Sequence, residues 1–435
     1  MTIQDPAATE VSEASETHGA SHPASSVVIV GAGQAGSDTA AALRSAGYTG
    51  PVTLVGAEDA LPYQRPPLSK SYLTGATAAA DVTLRPRSFY EDQRIDLVLG
   101  DRAVELDCAH HRVLLASGRE VGYGRLVLAT GARPRRLPVP GAGLDGVLPL
   151  RDLADAEAVR SRLPRTKHLA VVGGGFIGLE LAATARALGI EVTVIEAGSR
   201  LMARSVSHAM SQHLAAEHRR QGVRVLLDRT VTALHGDTDG NVRTADLEHG
   251  ERVLADLVIV GVGVLPNSSL AADAGLAVGD GVLVDRRLRT SDPTVYAIGD
   301  CARFPSPHAT RPLRLESVQN ASEQARCVAA ALCGDARPYE AVPWFWSEQY
   351  GLRLQIAGIT QDHDHTVTTG DPAQNRFSVF CFQGGRLAGV ESVNRPADHV
   401  MTRRLLASQL PGPNPAEVAR PDFDLKAFQR ARQAA

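Results

Sequence analysis

Short apolar runs, mostly β-branched, alternate with alanine-rich stretches along most of this chain, and glycine-rich turns separate them. SVVIV (26–30) reads as a strand, followed by a glycine turn, a helix to about Ala46 and a second strand, VTLVG (52–56). Strands alternating with helices predict an α/β architecture built on parallel sheets. A proline-dense segment, LPYQRPPLSKSYL (61–73), interrupts the rhythm, and a loop this irregular beside a binding turn points to function. Alternating segments near 97–116 predict a small antiparallel sheet. RLVLATGARP (125–134) predicts a buried strand with a Pro-rich exit, which PVPG (138–141) continues as a crossover linker.

The rhythm then repeats. Residues from His168 to about Glu196 read as a second strand–helix–strand unit, followed by a helix at about 207–221, a strand RVLLD (224–228) and a hairpin-like stretch to 254. ADLVIVGVGVLPN (255–267) matches RLVLATGARP in its position within its half, so the halves form an internal repeat. TVYAIGDCA (294–302) predicts a buried strand ending in a Gly-Asp turn, with a helix over about 317–333. From about Pro338 the texture changes. VPWFWSEQYGLRLQIAGI, RFSVFCFQGGRLAGVESV and a terminal helical pattern predict an α+β domain.

Each half opens on a copy of one glycine fingerprint: Gly31, Gly33 and Gly36 in the first, Gly173, Gly175 and Gly178 in the second. In such a turn the first glycine allows the tight bend and the second lets a pyrophosphate approach the backbone. The third lets helix and strand pack closely, while the helix N-terminus offers free N–H groups to the phosphates. Two copies in their proper settings imply two dinucleotides and a relay between them. An acidic residue ending the second strand of such a unit binds the adenosine ribose hydroxyls. VTVIE places Glu196 there, which favours NADH over NADPH, with Arg200 and Arg204 downstream as possible phosphate acceptors. In the first unit the strand end reads VGAED, so Glu58 either takes the ribose or is a solvated loop carboxylate.

Composition narrows the picture without redirecting it. The chain has 435 residues, is 44% hydrophobic and 21% charged, and has a formal net charge of −3. Nothing in that balance marks a nucleic-acid binder, although RPRR (133–136) is locally basic. No apolar run reaches the roughly 20 residues of a membrane span. Residues 1–25 contain no Lys or Arg and read as the start of a disordered tail rather than a targeting segment, so the expected location is cytoplasmic. The five cysteines (Cys108, Cys301, Cys327, Cys333, Cys381) show neither C-x-x-C nor metal spacing, and no metal is expected.

Two fingerprints, the ATG exit (129–131), the second exit (261–266) and TVYAIGDCA together resemble the glutathione-reductase-fold flavoproteins. PYQRPPLSKSYL, IGDCARF, LRLESVQNASEQAR, PWFWSEQY and VNRPAD resemble more closely the NADH-dependent ferredoxin reductases of the putidaredoxin reductase type, nearly throughout the chain from residue 26. That resemblance implies FAD on the first unit and NAD (NADH) on the second. It further implies FAD contacts from Ala35, Lys70, Arg133, Asp300 and Val318, beside Gly31, Gly33, Gly36, Glu58, Thr130, Gly131 and Trp346. Gly173, Gly175, Ile177, Gly178, Glu196 and Gly263 are the candidates for the nicotinamide dinucleotide. Where the family pattern carries an acid, this chain has Ala57. The implied domains are a tail at 1–26, an FAD domain at 27–150 plus 270–335, an NAD domain at 151–269 and a C-terminal α+β domain at 336–435. Lys70 and Glu180 are the catalytic candidates, as a pair near the flavin; a purely structural salt bridge is the alternative.

Disulfide reductases of this fold carry cysteines near the first helix, whereas this chain has none before Cys108. Ser69 stands beside Lys70 instead, so electrons arriving as hydride must leave directly to an external carrier. The expected carrier is a [2Fe–2S] ferredoxin feeding a terminal oxygenase. Arg65, Arg311, Arg314, Arg353 and Arg395 are either a steering surface for that acidic partner or solvated surface residues. Trp344 and Trp346 either cover the flavin or belong to the core, and His308, His363 and His365 read as ordinary loop residues. The expected assembly is a monomer or weak homodimer. Two other readings stay open: a reductase of quinone or monodehydroascorbate, and an NADH-sensing flavoprotein of the apoptosis-inducing-factor type.

Overall fold

A computed structural model describes residues 25–408 and 410–434. The expected tail therefore lies outside the described residues except at its end, where buried Ser26 accepts hydrogen bonds from the Gly124 and Arg125 amides.

The first apolar runs assemble into a five-stranded parallel sheet in the order Val295–Ala297, Arg125–Leu128, Val27–Val30, Val52–Val55, Ile95–Val98. Successive side chains of a strand point to opposite faces. Val27 and Ile29 therefore pack with the helices Gln34–Ser45 and Val318–Leu332, while Val28 and Val30 pack on a three-stranded antiparallel sheet (Ala103–Asp107, Arg112–Leu115, Glu120–Gly122). At the centre of the sheet both faces are dry, which is why Val27–Val30 reads as an unbroken apolar run, whereas the edge strand Ile95–Val98 exposes Asp96. The expected antiparallel sheet begins later than 97. Ile95–Val98 instead joins the parallel sheet, because the short helix Arg87–Asp92 supplies the crossover that a parallel partner needs.

The second half repeats this plan. Its parallel sheet runs Arg224–Leu226, Glu191–Ile195, His168–Val172, Leu257–Val260, Val147–Leu148. Leu169 and Val171 pack under the helices Phe176–Ala187 and His208–Arg220, and Ala170 and Val172 against a second antiparallel trio (Val231–Gly236, Val242–Leu247, Arg252–Leu254). The two matching strand exits pair with each other: Ala132–Pro134 lies antiparallel to Val264–Pro266 and forms the crossover ribbon between the halves. The strand RVLLD is shorter than its pattern, ending at Leu226, and Asp228 turns into left-handed backbone at φ 53°.

The C-terminal region is a five-stranded antiparallel sheet, in the order Trp344–Gln349, Leu352–Gly358, Arg386–Val393, Arg376–Gln383, His365–Asp371, with helices Pro396–Ser408 and Leu425–Ala434. Its edge strand Trp344–Gln349 packs against the helix Phe176–Ala187, and the Phe345 and Phe176 rings meet at 4.5 Å. An exposed edge is thereby covered by the second sheet-and-helix unit.

Candidate functional site

The two glycine turns are built alike. Gly31 (φ +116°) and Gly173 (φ +106°) hold backbone that side-chain-bearing residues rarely adopt, and a Cβ at either would strike the carbonyl of Ala129 or Gly261. Gly33 and Gly175, in contrast, have no protein atom within 4 Å of where a Cβ would stand. Those same two residues cap the helices Gln34–Ser45 and Phe176–Ala187 and supply no side-chain hydrogen bond. Each helix therefore presents first-turn N–H groups, with the positive end of its dipole, to open space. The residues fit a pyrophosphate at both turns.

Around the first turn, buried Ala35 lies in the first turn of the helix, beside Gly299 of the Gly-Asp turn. Asp300 pairs with Arg151 at 2.8 Å, and Arg151 Nε donates to the Ala132 carbonyl. Thr130 is tied to Asn267 by two hydrogen bonds of 2.6 and 2.9 Å, and Gly131 holds φ +67° with the Arg151 guanidinium nearby. Arg133 is exposed and reaches Pro266 and Asn267 in the crossover ribbon. Arg151, which no sequence motif marks, is the arginine that stands at Gly131 and Asp300. Ala57 is exposed, and Glu58 accepts hydrogen bonds from the Tyr63 hydroxyl at 2.5 Å and from Arg65 at 2.9 Å. Glu58 thus anchors the proline-dense segment, and burial raises the Tyr63 phenol well above its ordinary range.

Around the second turn, the Glu196 carboxylate accepts from the backbone amides of Gly174 (2.6 Å) and Gly198 (2.7 Å). Arg200 is committed to the carbonyls of Ala203 and Val206, and Arg204 lies beside Gly263 (φ +98°). Ile177 is exposed in the first turn of its helix, an apolar side chain left facing out of the fold.

Between the first unit and the C-terminal sheet is a cavity of about 340 Å³, lined by Gln34, Pro66, Lys70, Val318, Trp346 and Glu348 among others. Four distant stretches of chain converge there. Lys70 donates to Glu180 at 2.5 Å, and the same carboxylate accepts from Ser69 at 2.6 Å and from Ser347 at 2.8 Å. Glu180 is buried at 7% exposure, so three donors replace the water it has lost. The outer wall is aromatic. Trp346 stacks on Trp344 at 5.4 Å, and Trp344 carries the Arg403 guanidinium on its face at 4.7 Å.

No cysteine lines this cavity. All five cysteines are free; Cys301 and Cys381 are buried, and burial raises their thiols above the usual range. The five expected steering arginines each face a carboxylate: Arg65 with Glu58, Arg311 with Asp362, Arg314 with Glu316, Arg353 with Glu348 and Arg395 with Asp398. His308 and His363 contact the carbonyls of Glu340 and Thr360, and no metal-holding cluster exists among the described residues.

Comparison with known proteins agrees with this geometry. Residues 25–325 match the family model described as pyridine nucleotide-disulphide oxidoreductase, and residues 344–429 match one described as reductase C-terminal. Rhodocoxin reductase of Rhodococcus erythropolis is 48% identical over 401 residues, which cover 92% of this chain and 93% of that protein. The crystal structure of the ferredoxin reductase for the CYP199A2 system from Rhodopseudomonas palustris superposes with a TM-score of 0.90 at 48% identity, covering 93% of this chain and 99% of that one. The covalent putidaredoxin reductase–putidaredoxin complex gives a TM-score of 0.91 at 40% identity, over 94% and 99% of the two chains. With its two glycine cradles, its thiol-free cavity and its covering C-terminal sheet, this chain belongs to the pyridine nucleotide-disulphide oxidoreductase family, among the ferredoxin reductases that use FAD and NAD(H).

Proposed function

We propose that the chain is a ferredoxin–NAD(+) reductase that passes electrons from NADH, by way of FAD, to a [2Fe–2S] ferredoxin serving a cytochrome P-450 or a ring-hydroxylating dioxygenase. The observation that carries this reading is the thiol-free cavity beside the first open glycine cradle, with Lys70, held by Glu180 of the second unit, on its wall. The relatives named for the CYP199A2 system and for putidaredoxin support the choice of a protein carrier. Bound FAD supplies the chemistry that accepts a hydride and releases electrons one at a time.

The chain's own residues do the rest. Gly31, Gly33 and Gly36, with the N-terminus of Gln34–Ser45, receive the FAD pyrophosphate, and Arg151 and Asp300 hold the opposite side of that turn. Gly173, Gly175 and Gly178 receive the NADH pyrophosphate, and Glu196 reads its adenosine ribose. The Lys70 ammonium, fixed by Glu180, places positive charge at the cavity wall, where it favours the more anionic state of whatever binds there. Trp346 and Pro66 exclude water from the same wall. We assign the protein to the cytoplasm, as a monomer or weak homodimer; among the described residues no helix is long and apolar enough to cross a membrane. The test is reduction of cytochrome c by NADH with and without added [2Fe–2S] ferredoxin. Dependence on the carrier supports the reading, and equal turnover with quinone alone overturns it.

A further inference from the structure

The Lys70–Glu180 pair is the near end of a longer chain of hydrogen bonds. Ser347 Oγ meets Glu180 Oε1 at 2.8 Å, and Gln349 Nε2 meets Ser347 Oγ at 3.0 Å. His218 Nε2 meets Gln349 Oε1 at 2.8 Å, and the Tyr350 hydroxyl meets His218 Nδ1 at 3.2 Å. Ser347, Gln349 and His218 are all buried, at 1%, 3% and 0% exposure. The groups come from three regions that are far apart in sequence: the proline-dense segment, the second dinucleotide unit and the C-terminal edge strand. Simple packing would have filled this seam with apolar side chains, as it has around Phe176 and Phe345.

The polarity of the chain follows from one charge. An ionised carboxylate only accepts, and serine has a single hydroxyl proton. Ser347 therefore donates to Glu180 and must itself accept from the Gln349 amide. That turns the Gln349 carbonyl toward His218, so His218 carries its proton on Nε2. Burial pushes the His218 pKa down, which keeps the ring neutral with one N–H. Nδ1 is then an acceptor, and the Tyr350 hydroxyl donates to it. Every donor in the series points toward Glu180.

We propose that Ser347, Gln349 and His218 are positioning residues for hydride transfer, whose aligned hydrogen bonds hold the Glu180 carboxylate and, through it, the Lys70 ammonium at the cavity. The proposal rests on the reading of the Lys70–Glu180 pair given above. It has a consequence that packing alone does not produce. In Glu180→Gln the new side-chain carbonyl must face Lys70 and Ser69, which only donate there, so its amide nitrogen faces Ser347. Ser347 then donates to Gln349, the Gln349 amide reverses, and the His218 proton moves to Nδ1. A change at Glu180 is read out as a tautomer switch at a ring three hydrogen-bonded links away.

The experiment uses the FAD-loaded, full-length protein with ¹⁵N-labelled histidine. His218, assigned through His218→Gln, is expected as the Nε2–H tautomer in the unaltered protein and as Nδ1–H in Glu180→Gln. An Nδ1–H tautomer in the unaltered protein, or no change in Glu180→Gln, overturns the proposal. Anaerobic stopped-flow adds the functional arm. Checked for full FAD content, Ser347→Ala is expected to slow flavin reduction by NADH roughly tenfold, as losing one hydrogen bond to a charged group does, and Gln349→Met, which loses only the bond to the neutral Ser347 hydroxyl, severalfold. The slowing is expected to vanish when Ser347→Ala is combined with Lys70→Met. A wild-type rate in both single variants overturns the positioning role. A wild-type rate in Lys70→Met instead overturns the role of the pair itself, and leaves the tautomer result to decide the alignment.

Discussion

Lys70→Met separates the two meanings of the central ion pair. The substitution keeps most of the length of the unbranched side chain and removes its charge. Glu180 is then a buried carboxylate, 8% exposed at its side chain, with Ser69 and Ser347 as its remaining partners. Removing one member of a buried pair costs about 3–5 kcal/mol, because the other charge is left uncompensated. Two neutral donors remain here, and Lys70 is 24% exposed at its side chain, so the lower end applies: about 3 kcal/mol. In thermal unfolding that corresponds to a fall on the order of 5–10 °C for the affected unit. Lys70→Met/Glu180→Gln removes the charge on both sides, so most of that loss is expected to return. The rate of flavin reduction by NADH, followed anaerobically, is expected to stay low in the double variant, since the cation at the cavity wall is still missing. A rate that recovers together with the melting temperature would refute the reasoning and make the pair a structural salt bridge only.

Four further outcomes test the remaining assignments. Glu196→Arg is expected to lower the preference for NADH over NADPH by at least tenfold in kcat/KM, since a carboxylate repels a 2′-phosphate and a guanidinium binds it; an unchanged ratio removes Glu196 from ribose recognition. Replacing all five cysteines by serine or alanine is expected to preserve NADH-to-ferredoxin transfer, and loss of transfer in a folded variant restores a thiol relay. Arg151→Ala is expected to weaken FAD retention, measured as flavin released on dilution, more than Arg133→Ala does, because Arg151, unlike Arg133, pairs with the Asp300 carboxylate. His399 supplies a pH test. Burial lowers its pKa to about 4, below the ordinary value near 6.5 of the unfolded chain. The unfolded state therefore binds the proton first, and the stabilisation present above pH 6.5 is lost as pH falls toward 4. About 2–3 kcal/mol disappears by pH 4.5. His399→Phe is expected to flatten that slope in urea unfolding, and an unaltered slope assigns the acid sensitivity elsewhere.

The elements that were legible in the sequence are those whose cause is local. Gly31 and Gly173 announce themselves because the tight turn demands a backbone that other residues rarely adopt. The runs at Val27–Val30 and His168–Val172 read as strands because sheets covered on both faces need apolar side chains at consecutive positions. The matched exits at 132–134 and 264–266 showed a repeat, and the missing thiol beside Ser69 pointed to an external carrier. Tertiary structure decided what depends on long-range approach. It joined Ile95–Val98 to the parallel sheet and Val147–Leu148 to the second sheet, neither of which has a periodicity that names its partner. It brought Lys70 to Glu180 across 110 residues and Arg151 to Asp300 across 149. It turned Glu58 onto Tyr63 and Arg65, and it gathered Ser347, Gln349 and His218 into one buried series. Dihedral preference and strand patterning act over a few residues and leave their mark in the chain itself. The partners of a buried charge are selected by which surfaces the folded core presses together, and that selection is made only when the three regions close on one another.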